Sequence, residues 1–238
     1  MILLALESAA SVCSVAVCDG AGQILGYRRA EPGAAQADRL VALLDAALDA
    51  AGMSYRDLDV LAVNRGPGSF TGVRAGVAAA RALALALARP VVAVNTLEAL
   101  AAAAGAQPAG TIIAAVDARR GQLYVQAFDH RLAALGAPRV LAPADLRLGT
   151  AAPPLRLVGN GAVALAAALS DAGPMVSEST EADAGSVAAR ALERLAAGER
   201  PLEGRAVHPL YLRPPDARVP TLPRAPARAA VGSAACSR

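Results

Sequence analysis

Lysine is absent from this chain of 238 residues, and all 23 of its basic residues are arginine. A mechanism that depends on a lysine amine is therefore excluded. Histidine is scarce: the chain has only His130 and His208, which lie far apart in the sequence. A lone histidine is more often a surface or core residue than a metal ligand. Cys13, Cys18 and Cys236 lack metal-ligand spacing, and their odd number predicts reduced thiols and a cytoplasmic location.

Long uncharged apolar runs are also missing. The apolar N-terminus is interrupted at Glu7, and the run over residues 75–94 is broken by Arg81, Arg89 and Pro90. A helix that spans a bilayer needs about 20 predominantly apolar residues. The sequence therefore predicts that the protein is not a membrane protein. At 238 residues the chain is long enough to bury a substantial core, and 55% of its residues are hydrophobic.

The net charge of +3 comes from the C-terminal end of the chain. Residues 1–213 contain 19 arginines and 19 acidic residues, so the excess lies in the remaining 4 arginines and 1 aspartate. The balanced charge of residues 1–213 gives no indication of an extended basic surface for nucleic acid, but it is compatible with a local basic patch. From residue 214 onward proline, alanine, arginine and serine dominate without apolar periodicity. This composition predicts a flexible tail over residues 214–238.

The first hundred residues alternate between strand-like and helix-like patterns. Apolar runs predict strands over residues 2–6, 11–18 and 23–29, joined as an antiparallel meander, and further strands over 60–64 and 91–94. Residues 35–51 predict a helix that ends at Gly52 and carries Leu40, Leu44, Ala47 and Ala51 on one face. A second helix is predicted over residues 71–88. Thr96 is expected to cap a third, short helix that runs to residue 104.

The opening pattern then recurs in the second half of the chain. A strand over residues 111–116 ends in Asp117 before a turn and a strand over 122–128, as the strand over 2–6 ends in Glu7. This repeat is typical of a two-lobed, duplicated actin-like or ribonuclease-H-like α/β core with mixed sheets. Glu7 and Asp117 would then face a shared cleft. The glycines and proline of residues 105–110 predict a boundary between a first lobe (1–104) and a second lobe (105–213).

The second half is less regular. We predict a proline-bounded link over residues 138–154, short strands over 155–158 and 175–177, and helices over 162–169 and 183–197. The turn Gly159-Asn160-Gly161 is too short and too common to indicate an adenosine-binding loop.

A glycine loop precedes the second helix, with the sequence Arg-Gly-Pro-Gly-Ser-Phe-Thr-Gly-Val-Arg over residues 65–74. Gly66 and Gly68 permit unusual backbone angles, and Ser69 or Thr71 can cap the helix. Such a loop either binds an anion or merely caps the helix, and the second interpretation is the more common. The spacing matches neither a Walker loop nor the Gly-x-Gly-x-x-Gly fingerprint.

The helix after this loop is apolar nearly all round. Gly72, Gly76 and Ala80 lie four residues apart and predict a groove that another helix could approach closely. Alternatively, this stripe packs on its own sheet, with Val77 and Leu83 on the opposite face. Either way the helix requires cover on two sides.

Residues 65–74, the glycine loop and the start of the second helix, resemble the Gly-Pro-Gly-Ser-Phe-Thr-Gly-x-Arg signature of the bacterial TsaB family, also called YeaZ. Residues 3–8, 115–124 and 209–213 extend the resemblance over residues 1 to about 213. It implies the two-lobed actin-like (ASKHA) fold and a non-catalytic subunit needed for threonylcarbamoyl transfer to an adenosine of tRNA. The subunit would be a dimerisation scaffold for a TsaD-type catalytic subunit, together with a TsaE-type ATPase.

The resemblance also implies where the partner binds and what the chain does not bind. Alone, the chain would form a homodimer, and it would reach tRNA indirectly through the complex. ATP and a divalent metal would belong to the partner subunits, with no catalytic residue and no cofactor on this chain. The expected partner-binding residues lie on the first two helices and the glycine loop: Leu40, Leu44, Ala47, Arg65, Gly66, Pro67, Gly68, Ser69, Phe70, Thr71, Gly72, Arg74, Gly76, Val77, Ala80 and Leu83.

Two other hypotheses remain open at this point. One is a self-standing ATPase or metallopeptidase-like enzyme of the same fold, although the helix over residues 35–51 lacks the paired histidines of the catalytic relatives. Residues 36–40 and the pair Glu7-Ser8 also depart from the pattern of many relatives, which weakens any nucleotide or metal site in a vestigial cleft at Glu7 and Asp117. The other is a self-associating α/β protein whose loop only caps a helix.

Overall fold

The computed structural model describes residues 1–30, 36–147, 149–169, 173–177 and 180–213. The predicted flexible tail over residues 214–238 lies outside the described residues. The fold is built from two five-stranded sheets, each flanked by helices. This confirms the predicted two-lobed, duplicated α/β architecture.

The first sheet has the strand order β3-β2-β1-β4-β5, in which β1 pairs antiparallel with β2 and parallel with β4. Three helices follow β3, β4 and β5, respectively, and Gly52, at φ +65°, follows the first of them. The elements are β1 (Ile2–Glu7), β2 (Ser14–Asp19), β3 (Ile24–Arg29), α1 (Gln36–Ala51), β4 (Val60–Asn64), α2 (Phe70–Leu87), β5 (Val91–Val94) and α3 (Thr96–Ala104).

The second sheet has the order β10-β9-β6-β7-β8 and repeats the pairing of the first strand for strand. Its elements are β6 (Thr111–Asp117), β7 (Leu123–Asp129), β8 (Arg139–Leu141), β9 (Leu155–Val158), α4 (Ala162–Ala168), β10 (Met175–Ser177) and α5 (Ala184–Ala196). The predicted boundary at residues 104 and 105 falls between α3 and β6.

Alternating side chains of each central strand bury opposite faces of the sheets. Leu3 of β1 and Ile112 of β6 enter one core between the two sheets, together with residues of α3 and α5. Leu4 of β1 points to the opposite face, which α1 and α2 cover, and Ile113 of β6 points to the face that α4 covers. The layers are therefore α1 and α2, first sheet, α3 and α5, second sheet, and α4. Helix α5 follows the second sheet in the chain but packs on the first.

Two predictions of local structure were wrong. The link predicted over residues 138–154 contains strand β8, whose three residues are too few to show a periodic pattern. Asn95 rather than Thr96 caps α3, because its side chain accepts from the amide of Glu98 at 2.9 Å and Glu98 binds the Asn95 amide in return. Thr96 is the first residue of the helix, and its hydroxyl donates to Asn64 at 3.0 Å.

Among the described helices, α2 is the one long and apolar enough to cross a membrane by length and composition alone. Core helices of soluble proteins pass the same test. Here α2 buries six residues, including Val73, Val77 and Ala84, within the chain.

Candidate partner surface and cleft

The glycine loop, residues 65–69, is tied to the ends of the neighbouring strands. The amide of Gly66 donates to Asn64 Oδ1 at 2.9 Å, and its carbonyl oxygen accepts from the amide of Thr96 at 3.0 Å. Gly66 has a φ of +95°, a backbone conformation that residues with a side chain rarely adopt. The ends of β4 and β5 therefore set the path of this loop.

Ser69 completes the loop and caps α2. Its amide donates to the carbonyl oxygen of Ala9 at 2.9 Å, and its hydroxyl accepts from the amide of Gly72 at 3.3 Å. Thr71, the other candidate cap, is exposed. A Cβ on Gly68 would lie 2.2 Å from the Ala9 carbonyl oxygen, so this close approach requires glycine. Because amides of the loop are engaged within the chain, the geometry favours the helix-cap interpretation over anion binding.

Glu7 is fully buried at the end of β1 and serves the interior of the chain. One carboxylate oxygen accepts from the amides of Ala9 at 2.6 Å and Ala10 at 2.8 Å, and the other accepts from the Asn64 side chain. Burial raises the pKa of Glu7 to about 7; the three hydrogen bonds oppose this shift, and the carboxylate of Asp183 adds to it slightly. This acid holds the turn after β1 against the end of β4.

Asp117, its counterpart at the end of β6, lies in a different environment. The side chain is 42% exposed, and it accepts from the amide of Arg119 at 2.7 Å and lies 3.5 Å from the Arg119 guanidinium. The Asp117 amide donates to Asn160 Oδ1 at 2.9 Å. Both acids thus tie down the turn that follows their strand, but Asp117 is open to solvent where Glu7 is enclosed.

A cavity of about 550 Å³ opens between the ends of β1 and β6. Its wall includes Pro67, Asp117, Tyr124 and Glu181, whereas Glu7 does not contribute to it. The prediction that the two acids face a shared cleft is therefore wrong for Glu7, because its carboxylate is turned to backbone amides inside the chain. Among the described residues, no group of three or more histidine, cysteine, aspartate or glutamate side chains is arranged to hold a metal ion.

The small-residue stripe of α2 faces the chain's own sheet. A Cβ on Gly72 would lie 1.8 Å from the carbonyl oxygen of Ser8, and one on Gly76 would lie 2.2 Å from the Ser8 hydroxyl. Ala80 is fully buried in the core of the first sheet. The stripe lets α2 lie against the end of β1, which corrects the prediction that it forms a groove for another helix.

Four other residues expected at the partner surface are also buried in this core: Leu40, Leu44, Ala47 and Val77. They fill the layer between α1, α2 and the first sheet, because the apolar face of each helix is needed to cover that sheet. Leu83 is half-buried at the edge of the same cluster.

A different set of apolar residues is exposed on the outer side of α1 and α2, and we call it the α1–α2 face: Val41, Phe70, Ala78, Ala82 and Leu85. Its large members are 64% (Val41), 58% (Phe70) and 85% (Leu85) exposed. On α2 the four residues recur at intervals of three, four or eight, which places them along one side of the helix. Large apolar side chains that share an exposed face are typical of an interaction surface.

The two helices of this face carry opposite charges. On α1 Asp45 and Asp49 are exposed together with one arginine, Arg39, whereas α2 exposes Arg74 and Arg81 and contains no acidic residue. A second pair of helices with the same distribution could therefore place its basic helix against the acidic one.

An exposed cluster at the start of α2 includes a residue that the sequence analysis did not assign to the site. Tyr211 lies 6.0 Å from Phe70 between ring centroids, and its hydroxyl accepts from Arg74 Nε at 2.9 Å. The Arg74 guanidinium stacks 3.9 Å above the Phe70 ring. The chain reaches this point because the amide of Leu210 donates to the Arg65 carbonyl oxygen at 2.7 Å. The sequence feature that could have drawn attention to Tyr211 is the scarcity of aromatic residues, which make up 3% of the chain.

Comparison with known proteins identifies the relatives of this chain. The family model described as TsaD: tRNA N6-adenosine threonylcarbamoyltransferase matches residues 33–169. An uncharacterized protein of Mycobacterium tuberculosis is 38% identical over 195 residues, which cover 82% of this chain and 83% of that protein. The tRNA threonylcarbamoyladenosine biosynthesis protein TsaB of Escherichia coli is 37% identical over 125 residues, 52% of this chain and 53% of the relative.

A solved structure extends the likeness to the whole fold. YeaZ from Pseudomonas aeruginosa has a TM-score of 0.76 and 30% sequence identity, and the match covers 89% of this chain and 99% of that one.

Proposed function

Because the chain belongs to the TsaB (YeaZ) family, we propose that it acts in the synthesis of threonylcarbamoyladenosine on tRNA as a non-catalytic, dimerisation subunit. Its partner in this proposal is a TsaD-type catalytic subunit, joined by a TsaE-type ATPase. ATP and a divalent metal are held by those partners. Alone, the chain pairs with a second copy through the same surface.

The observation that carries this proposal is the α1–α2 face. It combines exposed apolar side chains with an acidic α1 and a basic α2, a pattern that a partner with two equivalent helices can match as a four-helix layer. The family model described for TsaD matches residues 33–169, and this range contains both helices. A TsaD-type protein is therefore a partner that would present helices of the same kind.

The interior of the site supports a non-catalytic role. The carboxylate of Glu7 is engaged by two backbone amides and Asn64, so it has no free face for a ligand. The cavity beside Asp117 is the observation that favours a second candidate, an ATPase of the same fold. Calorimetric titration with ATP and Mg²⁺ separates the two: the scaffold proposal expects no tight binding, and submicromolar binding lost in Asp117→Asn would favour the ATPase.

Mixing the purified chain with its TsaD-type partner tests the pairing, with the species resolved by size-exclusion chromatography and light scattering. We expect a heterodimer to replace the homodimer. Leu85→Asp and Val41→Asp should abolish it, because each places a carboxylate in an apolar contact, while circular dichroism remains unchanged.

Val163→Asp is the matched control, since Val163 is 52% exposed on α4, on the opposite side of the molecule. Normal pairing by both Leu85→Asp and Val41→Asp would remove the α1–α2 face from the interface.

A further inference from the structure

A groove lies at the C-terminal end of α2, where residues 201–205 pack beside the helix, and we call it the α2-end groove. Its volume is about 770 Å³, and most of its lining is aliphatic, including Ala84, Leu85, Ala88 and Leu202. Leu85 is 85% exposed and Leu202 is 40% exposed. A ligand that covers these two side chains removes apolar surface from water, which favours binding.

Two contacts hold the wall of the groove that faces α2. Leu202 and Val91 exchange two backbone hydrogen bonds, each of 2.8 Å, at the edge of the first sheet. A Cβ on Gly204 would lie 2.6 Å from the Cβ of Ala84, so glycine allows this segment to approach the helix closely. The groove is therefore formed by the fold before any ligand binds.

The groove has an excess of positive charge. Its charged side chains are Arg81, Arg89, Glu203 and Arg205, and the last two form an ion pair of 2.7 Å. The side chains of Arg81 and Arg89 make no hydrogen bond or ion pair within the part of the chain that the structure describes. The end of α2 contributes a partial negative charge of about half a unit, which is smaller than the charge of the two arginines.

This lining favours an acidic polypeptide segment with an aliphatic side chain. Carboxylates would bind the two guanidinium groups, and the aliphatic group would cover Leu85 and Leu202. A nucleic acid would leave the aliphatic lining unused, and the described lining contains no aromatic ring on which a base could stack. Residues 214–238 of the chain itself are disfavoured by charge, because they contain 4 arginines and 1 aspartate.

The groove is continuous with the α1–α2 face, because Ala82 and Leu85 belong to both. A protein that covers the face is therefore placed to reach into the groove. We propose that the α2-end groove binds an acidic segment of the TsaD-type partner, beside the helices with which that partner covers the face. This inference rests on the proposed function and adds a second contact of different chemistry.

Two variants outside the α1–α2 face test the groove in the full chain. Arg89→Glu reverses a charge of the groove and should weaken pairing with the TsaD-type protein about tenfold at low salt, measured by titration calorimetry. The loss should shrink as salt is raised, because exposed charges are screened. Leu202→Ala shortens an apolar side chain and should weaken pairing about fivefold, with little dependence on salt. Circular dichroism should remain unchanged in both.

Arg139→Glu is the matched control, because Arg139 is exposed on β8 in the second lobe and lies outside the groove. It should pair within about twofold of the wild type.

A peptide probe tests the chemistry of the groove without the partner. Fluorescence anisotropy compares a short labelled peptide of glutamate and leucine with one that has lysine in place of glutamate. The glutamate peptide should bind the wild type and bind Arg89→Glu about tenfold more weakly. The lysine peptide should not bind.

Pairing of both groove variants as tightly as the wild type would overturn this inference and leave the proposed function standing. So would equal binding of the two peptides. A loss in Arg89→Glu that is confined to the homodimer would identify a second copy of this chain as the occupant and would also overturn it. If the wild type does not pair with the TsaD-type protein at all, the proposed function fails, and this inference fails with it.

Discussion

The two sheets share one backbone plan down to the hydrogen bonds of a turn. At the end of β2, Asp19 Oδ1 accepts from the amides of Ala21 and Gln23, both at 2.9 Å. At the end of β7, Asp129 Oδ1 accepts from the amides of residues 131 and 133, at 2.8 and 2.9 Å. The second turn follows the first at the same spacing in the chain at which β7 follows β2. Compared position by position, the two turns share only the aspartate. A short polar side chain that binds amides two and four residues ahead is sufficient to define this turn.

The halves differ in what covers their outer faces. The first sheet carries α1 and α2, of 16 and 18 residues, and the corresponding face of the second sheet carries α4, of 7 residues. The α1–α2 face exists because the first half retains long helices whose outer sides are also apolar. A duplicated core therefore became asymmetric through its helices, while the strand order stayed the same.

The largest expected effect concerns the contact that places α2 on its sheet. Gly72→Ala would put a methyl group 1.8 Å from the Ser8 carbonyl oxygen, which is backbone and cannot move aside. We expect a loss of about 3 kcal/mol or more in the free energy of unfolding, measured by urea denaturation. In the second half a Cβ on Gly161 would lie 3.0 Å from the Leu123 side chain and 3.1 Å from the backbone of Ala115, so Gly161→Ala should cost about 1 kcal/mol. Equal losses would remove this distinction between the halves.

The buried acid of the first half should make stability depend on pH. The pKa of Glu7 is raised to about 7 in the folded state from an ordinary value of 4.5, so the folded chain binds this proton more tightly than the unfolded chain. The free energy of unfolding should then fall as pH rises from 4.5 to 7, by on the order of 3 kcal/mol, relative to Glu7→Gln. Thermal and urea denaturation of both proteins across this range measures the difference. If the stability of the wild type relative to that of Glu7→Gln stays constant or increases as pH rises from 4.5 to 7, the raised pKa of Glu7 is contradicted.

Two asparagines at the ends of equivalent strands, Asn64 in β4 and Asn160 after β9, offer a matched test of burial. Asn64→Ala removes the partner of Glu7, Gly66 and Thr96 in a fully buried site and should cost about 3 kcal/mol. Asn160→Ala removes one acceptor, that of the Asp117 amide, at an exposed position and should cost about 1 kcal/mol or less. Urea denaturation at one pH compares them. A smaller loss for Asn64 than for Asn160 would contradict the hydrogen-bond network described for the first half.

The smallest effects are expected where the halves agree. Asp19→Ala and Asp129→Ala each remove two solvent-exposed hydrogen bonds to backbone amides and should each cost about 1 kcal/mol. The two losses should agree within about 0.5 kcal/mol and add in the double variant, because the turns share no hydrogen-bond partner. Unequal losses would show that the matching geometry hides different energetics.

Most of the fold could be predicted because its signals are local. Apolar runs identified the central strands, and the recurrence of strand, acid, turn and strand in the second half indicated the duplication that the sheet topology shows. Strand β8 was missed because three residues carry no period, and the cap of α3 was misplaced because Asn95 and Thr96 are both good capping residues.

The candidate site was harder to predict because it depends on contacts between distant residues. Small residues four apart indicated a close helix approach, but the sequence could not show that Ser8 lies opposite Gly72 and Gly76. The same limit applies to Tyr211, which meets Arg74 from 137 residues away. Some of the predicted partner residues are buried in the core and others are exposed. The sequence could not distinguish them, because burial depends on how the whole chain packs.

By itself the sequence determined the two-lobed α/β class, the duplicated strand pattern and the family, because these depend on local periodicity and on the contiguous motif of residues 66–74. Only the tertiary structure decided that Glu7 is enclosed while Asp117 is open, and which side of α2 is exposed. The physical reason is that a side chain's solvation depends on the elements that pack against it. Glu7 is enclosed by Asn64 and the amides of Ala9 and Ala10, near Asp183 at the start of α5, whereas Asp117 lines a cavity.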